Sequence, residues 1–379
     1  MKYVLKIRIC HISEATSGGV LTHLTQLAEN LDADVFEQSF ILSSKKNSTL
    51  SQTNSFLGHP LFIVDMARTI SPRADLQSLF QLIKILKTNK FDIIHCHSSK
   101  AGVLGRMAAY MTGCKIIYYT PHSFSFNIFN SKLKNAFYAF VEKIMALFTT
   151  KVICVSVGEF HLALQMKVSD EKKMVVIPNG VELKKEGMTR EKKNLPEIKG
   201  IAYSKKVIGF VGRLSIQKNP EMIIRAIEKI KMDDVLLLIM GTGPLEKSLI
   251  ELVNLLGVSD RIFFLGEIPN VREILGSCNI FVSTSLWESM PYAILEAMDE
   301  EIPVIATEIS GVTDIVKNNI TGILVPPNDY EKLASVIEEL LLDSDKQEKL
   351  TQNAKKIINQ EYNIENMIEK LKHLYLSAP

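Results

Sequence analysis

Short apolar runs rich in Val, Ile and Phe recur along the chain, alternating with stretches whose apolar residues return every three or four positions. The first pattern predicts buried strands, the second amphipathic helices. In the front half the strand candidates are YVLKIRICHI, FEQSFIL, PLFIVD, FDIIHCH, KIIYYTP, KVICVS and MVVIPNG, with helical patterns such as LTHLTQLAENL and DLQSLFQLIKILKTN between them. In the back half KVIGFVGR, VLLLIMG, RIFFLGE, NIFVSTS, IPVIAT and GILVPP repeat the theme. Asn219 and Pro220 open one helix as N-cap and first residue, and Gly257 closes another. Strands that are apolar throughout and separated by helices predict parallel sheets covered on both faces. The expected fold is α/β, with two doubly wound Rossmann-like domains facing a cleft at the carboxyl ends of their strands, where such folds bind ligands.

The apolar rhythm stops in VELKKEGMTREKKNLPEIKGIAYSKK, residues 181–206, which is dense in charge. This sets a front domain at 1–182, a linker at 183–206, a back domain at 207–360 and a terminal helix at 361–379, which has the option of packing back on the front domain. Composition adds little: 379 residues, 46% hydrophobic and 23% charged, are ordinary for a soluble protein. Five scattered cysteines, never spaced CxxC, argue for a reducing compartment and against a disulfide framework or structural zinc. The opening MKYVLKIRIC carries charge through its apolar run and reads as a strand, not a signal peptide. No run reaches the roughly 18 uncharged apolar residues of a spanning helix. Charge changes the picture more. Residues 1–180 carry 20 Lys+Arg against 12 Asp+Glu, and the remainder 24 against 30, so the net +2 hides a basic front half. Such a half suits an anionic partner: a phosphate, a lipid headgroup or nucleic acid.

Candidate chemistry sits in the strand-to-helix turns. Gly18 and Gly19 follow the first strand, where a bare backbone and a helix N-terminus can approach an anionic ligand. The turn is not GxGxxG, so no dinucleotide fingerprint is present. His95 and His97 lie on one face of a strand. With Ser98, Lys100 and Arg106 they are expected to line a cleft floor for an acceptor; a metal pair is conceivable, but no third ligand is near in sequence, and a satisfied buried residue is an alternative for His95. His122 follows a strand and a proline, and is a candidate acid–base or hydrogen-bonding group. Arg213 and Lys218, five apart after a strand, would be costly to crowd together unless an anion such as a diphosphate neutralised them. Gly241 and Gly243 form a second glycine-rich turn.

ESMPYAILE spans Glu288 to Glu296, with Pro291 expected at the first helical position. That places Glu288 in the loop and Glu296 inside the helix, roughly 8 Å from its start. The spacing fits a diphosphate-to-ribose reach: helix N–H groups and the side of Ser289, Met290, Pro291 and Tyr292 toward phosphate and sugar, Glu296 on ribose hydroxyls, Glu288 on hydroxyls of a transferred sugar.

Taken together, SGGVLTHL, HCHSSKAGVLGR, TPHSF, IPNGVE, GFVGRLSIQKNPE, GTGP, ESMPYAILEAM, PVIAT and TGILVPPND, in that order and over nearly the whole length, resemble a family 4 retaining glycosyltransferase of the GT-B fold. The front-half wording resembles members that build bacterial capsule, exopolysaccharide or O-antigen units on polyprenyl-diphosphate sugars. The resemblance implies a nucleotide-sugar donor held mainly by the back domain, a UDP-sugar by preference, and an acceptor held by the front domain. It puts the Glu-x7-Glu motif on Glu288 and Glu296, the phosphate-binding cations on Arg213 and Lys218, the front-domain histidine on His122 and the Gly-Gly loop on Gly18 and Gly19. No metal and no other cofactor is implied. Departures are Ser289 where many members have Gly, and Asp299 and Glu301 where Ala and Gly are usual.

Phe124, Phe126, Phe129, Phe137 and Phe140 interleave with Lys132, Lys134 and Lys143, which suits the surface of an anionic bilayer. The expected place is therefore cytoplasmic, peripheral on the inner face of the cell membrane. No nucleic-acid-binding motif appears. Competing readings are a nucleotide-sugar 2-epimerase or a phosphorylase of the same fold, the latter needing a pyridoxal phosphate lysine that nothing marks, and a non-enzymatic carbohydrate- or membrane-binding subunit.

Overall fold

The computed structural model describes residues 6–43, 56, 58–67, 69–127, 131–184 and 205–377. It divides into two units, residues 1–179 with 365–379, and residues 180–364. Nearly all of the expected linker, 183–206, lies outside the described residues, as does Phe129.

The first unit carries β1 (Ile7–Ser13), α1 (Gly18–Asn30), β2 (Phe36–Leu42), β3 (Leu61–Ile63), α2 (Pro72–Asn89), β4 (Ile93–His97), α3 (Ser99–Met111), β5 (Ile116–Thr120), α4 (Lys132–Leu147), β6 (Lys151–Cys154), α5 (Val157–Gln165) and β7 (Met174–Val176). The strands pair in parallel in the order β3-β2-β1-β4-β5-β6-β7, so the winding reverses between β1 and β4. Each of the seven expected runs holds one strand. The two faces differ in kind. Cys10, Ile12, Ile94, Cys96, Ile117, Tyr119, Val152 and Cys154 point to one face and join the apolar core. That face is pressed close: a Cβ on Gly102 would lie 2.3 Å from the Tyr119 ring, and one on Gly105 2.6 Å from Cys96 Sγ. The opposite face presents His11, His95 and His97, all without exposed surface, together with Tyr118 and Thr120.

The second unit runs β8 (Lys206–Val211), α6 (Pro220–Lys229), β9 (Val235–Met240), α7 (Glu246–Leu256), β10 (Ile262–Gly266), α8 (Val271–Leu275), β11 (Ile280–Ser283), α9 (Tyr292–Asp299), β12 (Val304–Thr307), β13 (Ile323–Val325), α10 (Tyr330–Leu342) and α11 (Ser344–Glu361). Its six parallel strands follow the order β10-β9-β8-β11-β12-β13, with the reversal between β8 and β11. Both sheet faces are apolar: Ile208, Phe210, Leu237, Ile239, Val282 and Ile305 build one, and Val207, Leu236, Leu238, Phe281, Val304 and Ala306 the other. The last helix, α12 (Ile364–Leu376), returns to the first unit. There Tyr375 Oη meets His95 Nδ1 at 2.7 Å, Tyr118 Oη donates to Leu374 O at 3.1 Å, and Lys372 pairs with Asp32 at 2.8 Å.

Candidate functional site

In the second unit the loops after β8 and β11 meet at the sheet's reversal point, where ligands bind in open α/β sheets. Backbone and side chains clamp them together. Leu286 N–H donates to Gln217 O at 2.7 Å, Gln217 Nε2 to Trp287 O at 3.0 Å, and Thr284 Oγ1 to the carbonyls of Lys218 and Asn219 at 2.9 and 2.8 Å. The clamp brings Lys218 Nζ to 2.5 Å from Glu288 Oε1, which also accepts from Ser285 Oγ at 2.7 Å. Arg213 is exposed, and its guanidinium makes no hydrogen bond or ion pair among the described residues. The turn therefore holds one cation neutralised by Glu288 and one available for an anion.

Gly241 and Gly243 are required by packing. A Cβ on Gly241 would sit 2.2 Å from Gly212 O, and one on Gly243 2.4 Å from Leu214 O. Their turn presses on the segment that carries Arg213. A glycine that the sequence reading missed does the same for the acidic loop: Gly311, at φ +83°, would put a Cβ 2.3 Å from Ser289 O and 2.7 Å from Glu288 O. Its position just past β12 was the available signal.

Helix α9 begins one residue later than expected, because Pro291 has an extended backbone (ψ 118°) and serves as N-cap. The N-cap proline offers no side-chain acceptor to this end of the helix. Ser289, Met290 and Tyr292 are buried and Glu296 is half-buried. Burial pushes the Glu296 carboxyl up to about 7, with Arg272 opposing and Glu300 adding to the rise. Burial likewise raises the Tyr292 phenol.

The two departures at the end of α9 have structural explanations. Asp299 has no exposed surface and is held by Arg272, by Lys355 Nζ at 2.6 Å and by the Lys184 N–H at 3.0 Å. Glu300 extends the network to Arg272 and Lys184, each at 3.0 Å. Glu301 takes the left-handed φ of +58° that glycine would adopt at lower cost.

In the first unit the structure separates the residues assigned to an acceptor floor. Gly18 and Gly19 are exposed at the start of α1, with Gly18 at φ +60° and open space where a Cβ would stand. Ser98 Oγ donates to Glu14 Oε2 at 2.5 Å, and the same carboxylate accepts from the Ala101 N–H at 2.9 Å and the Lys100 N–H at 3.2 Å. Glu14, which sequence reasoning passed over, thus caps α3 and occupies its N-terminus. Lys100 Nζ pairs with Asp75 at 2.7 Å. Arg106 is not on a cleft floor. It has no exposed surface, pairs with Glu142 at 2.6 Å and stacks 3.8 Å from the Tyr119 ring centroid, so it is an internal strut between α3 and α4. His97 is also fully buried, with Nδ1 on His122.

His122 and four further imidazoles gather in one cluster. His97 Nδ1 lies 3.2 Å from His122 Nε2, and His97 Nε2 lies 3.2 Å from His11 Nδ1. His23 meets the His122 ring edge-on at 4.8 Å, and His95 lies against His97 with ring centroids 4.0 Å apart. Burial lowers all five: His11 to about 3, with His23 and His59 adding, His23 to about 4, and His95, His97 and His122 well below 6.5. His11, His95 and His97, or His23, His97 and His122, bring three nitrogens within 4.8 Å of one another, close enough to hold a metal ion.

Phe124 and Phe126 do not belong to a membrane-facing surface. They are buried and stack on each other at 4.8 Å. The face of α4 is different: Leu133, Phe137, Phe140, Ile144 and Leu147, spaced 4-3-4-3, are 37–85% exposed beside the exposed Lys132, Lys134 and Lys143. No described helix is long and apolar enough to cross a membrane.

The family model described as Glycosyltransferase Family 4 matches residues 17–185, and that described as Glycosyl transferases group 1 matches residues 191–357. The UDP-Gal:alpha-D-GlcNAc-diphosphoundecaprenol alpha-1,3-galactosyltransferase of Escherichia coli is 32% identical over 382 residues, covering 98% of this chain and 97% of the relative. The capsular polysaccharide biosynthesis glycosyltransferase CapM of Staphylococcus aureus is 27% identical over 88% of each chain. Among solved structures, HepE of Anabaena in complex with UDP and glucose has the same fold, with a TM-score of 0.85 at 20% identity over 98% of this chain and 100% of that one.

Proposed function

Because the chain belongs to glycosyltransferase family 4 and is a GT-B enzyme acting on a nucleotide sugar, we propose that it is a retaining transferase that moves a sugar from a UDP-sugar to a polyprenyl-diphosphate-linked sugar in bacterial surface polysaccharide synthesis. The observation that carries this reading is the Lys218–Glu288 pair beside the exposed Arg213, at the point where the second sheet reverses. A diphosphate arriving there meets the Arg213 fork and draws Lys218 from Glu288. Glu288, released, accepts from hydroxyls of the transferred sugar, and Glu296 accepts from the ribose. The α9 N-terminus adds N–H groups to the departing phosphate.

In the transfer step the anomeric C–O bond breaks with its electron pair going to the diphosphate. The acceptor oxygen forms the new bond on the same face, and its proton passes to a diphosphate oxygen. Arg213 and Lys218 supply, against the charge developing on the diphosphate, the positive charge that a metal ion supplies in other transferases, and His122 holds a hydroxyl of the donor sugar. The acceptor is read as lipid-linked because the E. coli relative is named for such an acceptor. The apolar α4 stripe flanked by lysines supports contact with an anionic membrane.

The test is a thermal-shift panel with UDP, GDP, ADP and TDP, each in EDTA and in magnesium, followed by a transfer assay with UDP-sugars and a GlcNAc-diphospho-lipid. At 100 times its dissociation constant UDP adds about 2.7 kcal/mol of stability. A rise with UDP alone, without metal, is expected. No rise with any of the four rejects the diphosphate site, and a rise only with magnesium rejects the metal-free mechanism. Sedimentation with phosphatidylglycerol vesicles but not phosphatidylcholine vesicles, lost in Phe137→Ser/Phe140→Ser, is expected of the α4 face.

A further inference from the structure

We propose that Gln38, His11 and His97 form a buried positioning chain that fixes His122 with its proton on Nε2, so that Nδ1 is presented as a hydrogen-bond acceptor for a substrate hydroxyl. The inference deepens the glycosyltransferase reading and rests on it for the identity of the hydroxyl, which belongs to a sugar.

A neutral imidazole has one donor and one acceptor nitrogen. The rings linked as His122–His97–His11 at 3.2 Å per step must therefore pass their protons all one way. Either each proton points inward, from His122 Nε2 to His97 Nδ1 and from His97 Nε2 to His11 Nδ1, or each points outward. The inner end decides. His11 Nε2 and Gln38 Oε1 are both buried and lack a hydrogen bond among the described residues. Gln38 lies on the same sheet face as His11, two residues before its register partner Phe40, and its side chain interacts with the His11 ring. Its amide orientation is fixed from the other side, where Nε2 donates to Leu27 O at 3.1 Å; a flipped amide would set two carbonyl oxygens against each other.

Gln38 thus offers His11 an acceptor only. With protons pointing inward, the His11 Nε2–H group is directed to that oxygen. With protons pointing outward, two lone pairs face each other in the core and both stay unsatisfied, which is the costlier state. The inward order leaves His122 Nδ1 with a free lone pair. His122 is half-buried, and its one hydrogen bond among the described residues uses Nε2. Its backbone is held at φ +54° and that of Ser123 at φ +129°, conformations that non-glycine residues rarely adopt and that fix where the ring is aimed.

The experiment uses the full chain labelled with 15N-histidine. Long-range 1H–15N correlation reads the tautomer of His122, assigned by its loss in His122→Asn. The expected spectrum has Nε2 protonated and Nδ1 unprotonated. In His11→Phe, where the new ring still stacks on Phe40, the order loses its anchor. His122 is then expected to populate both tautomers, and kcat to fall about three- to tenfold, the size of one neutral hydrogen bond, with KM unchanged. Should His11→Phe not fold, Gln38→Met removes the accepting carbonyl, together with the amide's bond to Leu27 O, and gives the same readout. A wild-type His122 protonated on Nδ1 overturns the inference while leaving the transferase reading intact. So does stoichiometric zinc uptake that shifts the His97 and His122 nitrogens. Failure of every UDP-sugar to turn over rejects the reaction reading, and the tautomer spectrum alone then decides the positioning chain.

Discussion

All eight histidines of the chain lie in the first unit, and five of them pack ring against ring with their charge suppressed by burial. The second unit, wound on the same plan, has none. At the carboxyl ends of its strands it places an ion pair, Lys218 on Glu288, and at the far end of α9 a second network, Arg272, Lys184 and Lys355 on Asp299 and Glu300. One sheet sets a cluster of neutral rings behind His122, the other an ion pair poised for exchange. The contrast suits the two partners of a transfer: uncharged hydroxyls on one side, a diphosphate on the other. It also makes the units respond oppositely to pH, since acid charges the buried histidines while alkali charges Glu296.

The sharpest way to break this comparison is acidification. The buried histidines are neutral when folded and take protons near 6.5 when unfolded, so their contribution is whole above that value and falls as pH drops below it, down to about 4 for His23 and about 3 for His11. Each removes about 1.4 kcal/mol per pH unit, and five together would exhaust a typical 5–15 kcal/mol within roughly two units. Far-ultraviolet circular dichroism should therefore show a transition starting below pH 6 while the fluorescence of Trp287, the single tryptophan, which lies in the second unit, stays native. Coincident transitions would mean that the units do not differ in this way.

Next in size, Arg213→Ala and Lys218→Ala should each lower kcat about 10²–10³-fold, as for other lost transition-state donors, with less change in donor KM. Unchanged turnover in steady-state assays would remove the charge-exchange role. Asp299→Ala leaves Arg272 and Lys355 facing a buried gap and should cost about 3 kcal/mol in urea unfolding; a loss within 0.5 kcal/mol, roughly a surface effect, would show that the network relaxes. Glu296→Gln works in the reverse direction to the histidines. A carboxyl raised to about 7 keeps its proton in the folded state across pH 4.5–7, so its penalty on folding builds over that range and is complete above it; the amide should stabilise the chain at pH 8 by up to about 3 kcal/mol, read as a higher Tm, while weakening UDP binding. Smallest, Glu301→Gly should relieve the left-handed backbone and gain up to about 1 kcal/mol in the same unfolding assay.

The strands were legible because each is a run of β-branched and aromatic residues bounded by turns, and period two put His95 and His97 on one face. Nothing local revealed that His11 would join them: that depends on the β1–β4 register, which pairs positions 11 and 95. The same limit explains Arg106. Its partner Glu142 stands 36 positions away on another helix, so an arginine near a histidine motif passed for a ligand group. Lys218 and Glu288 were both recognised, but their contact spans 70 positions and was invisible as a pair. Residue type and spacing exposed the chemistry of each turn; long-range pairing decided which groups are already satisfied.

Helix α12 gives the chain a particular order of birth. The first unit is begun first by the ribosome, yet it lacks Tyr375 until the whole second unit has been made. Until then His95 has no phenol to meet and Asp32 no lysine. The second unit, contiguous from 180 to 364, can fold while the first is still waiting. Vectorial synthesis, which usually favours the front of a protein, here favours the middle, and a ribosome that stalls before α12 is made releases a chain whose second unit is finished and whose first is not.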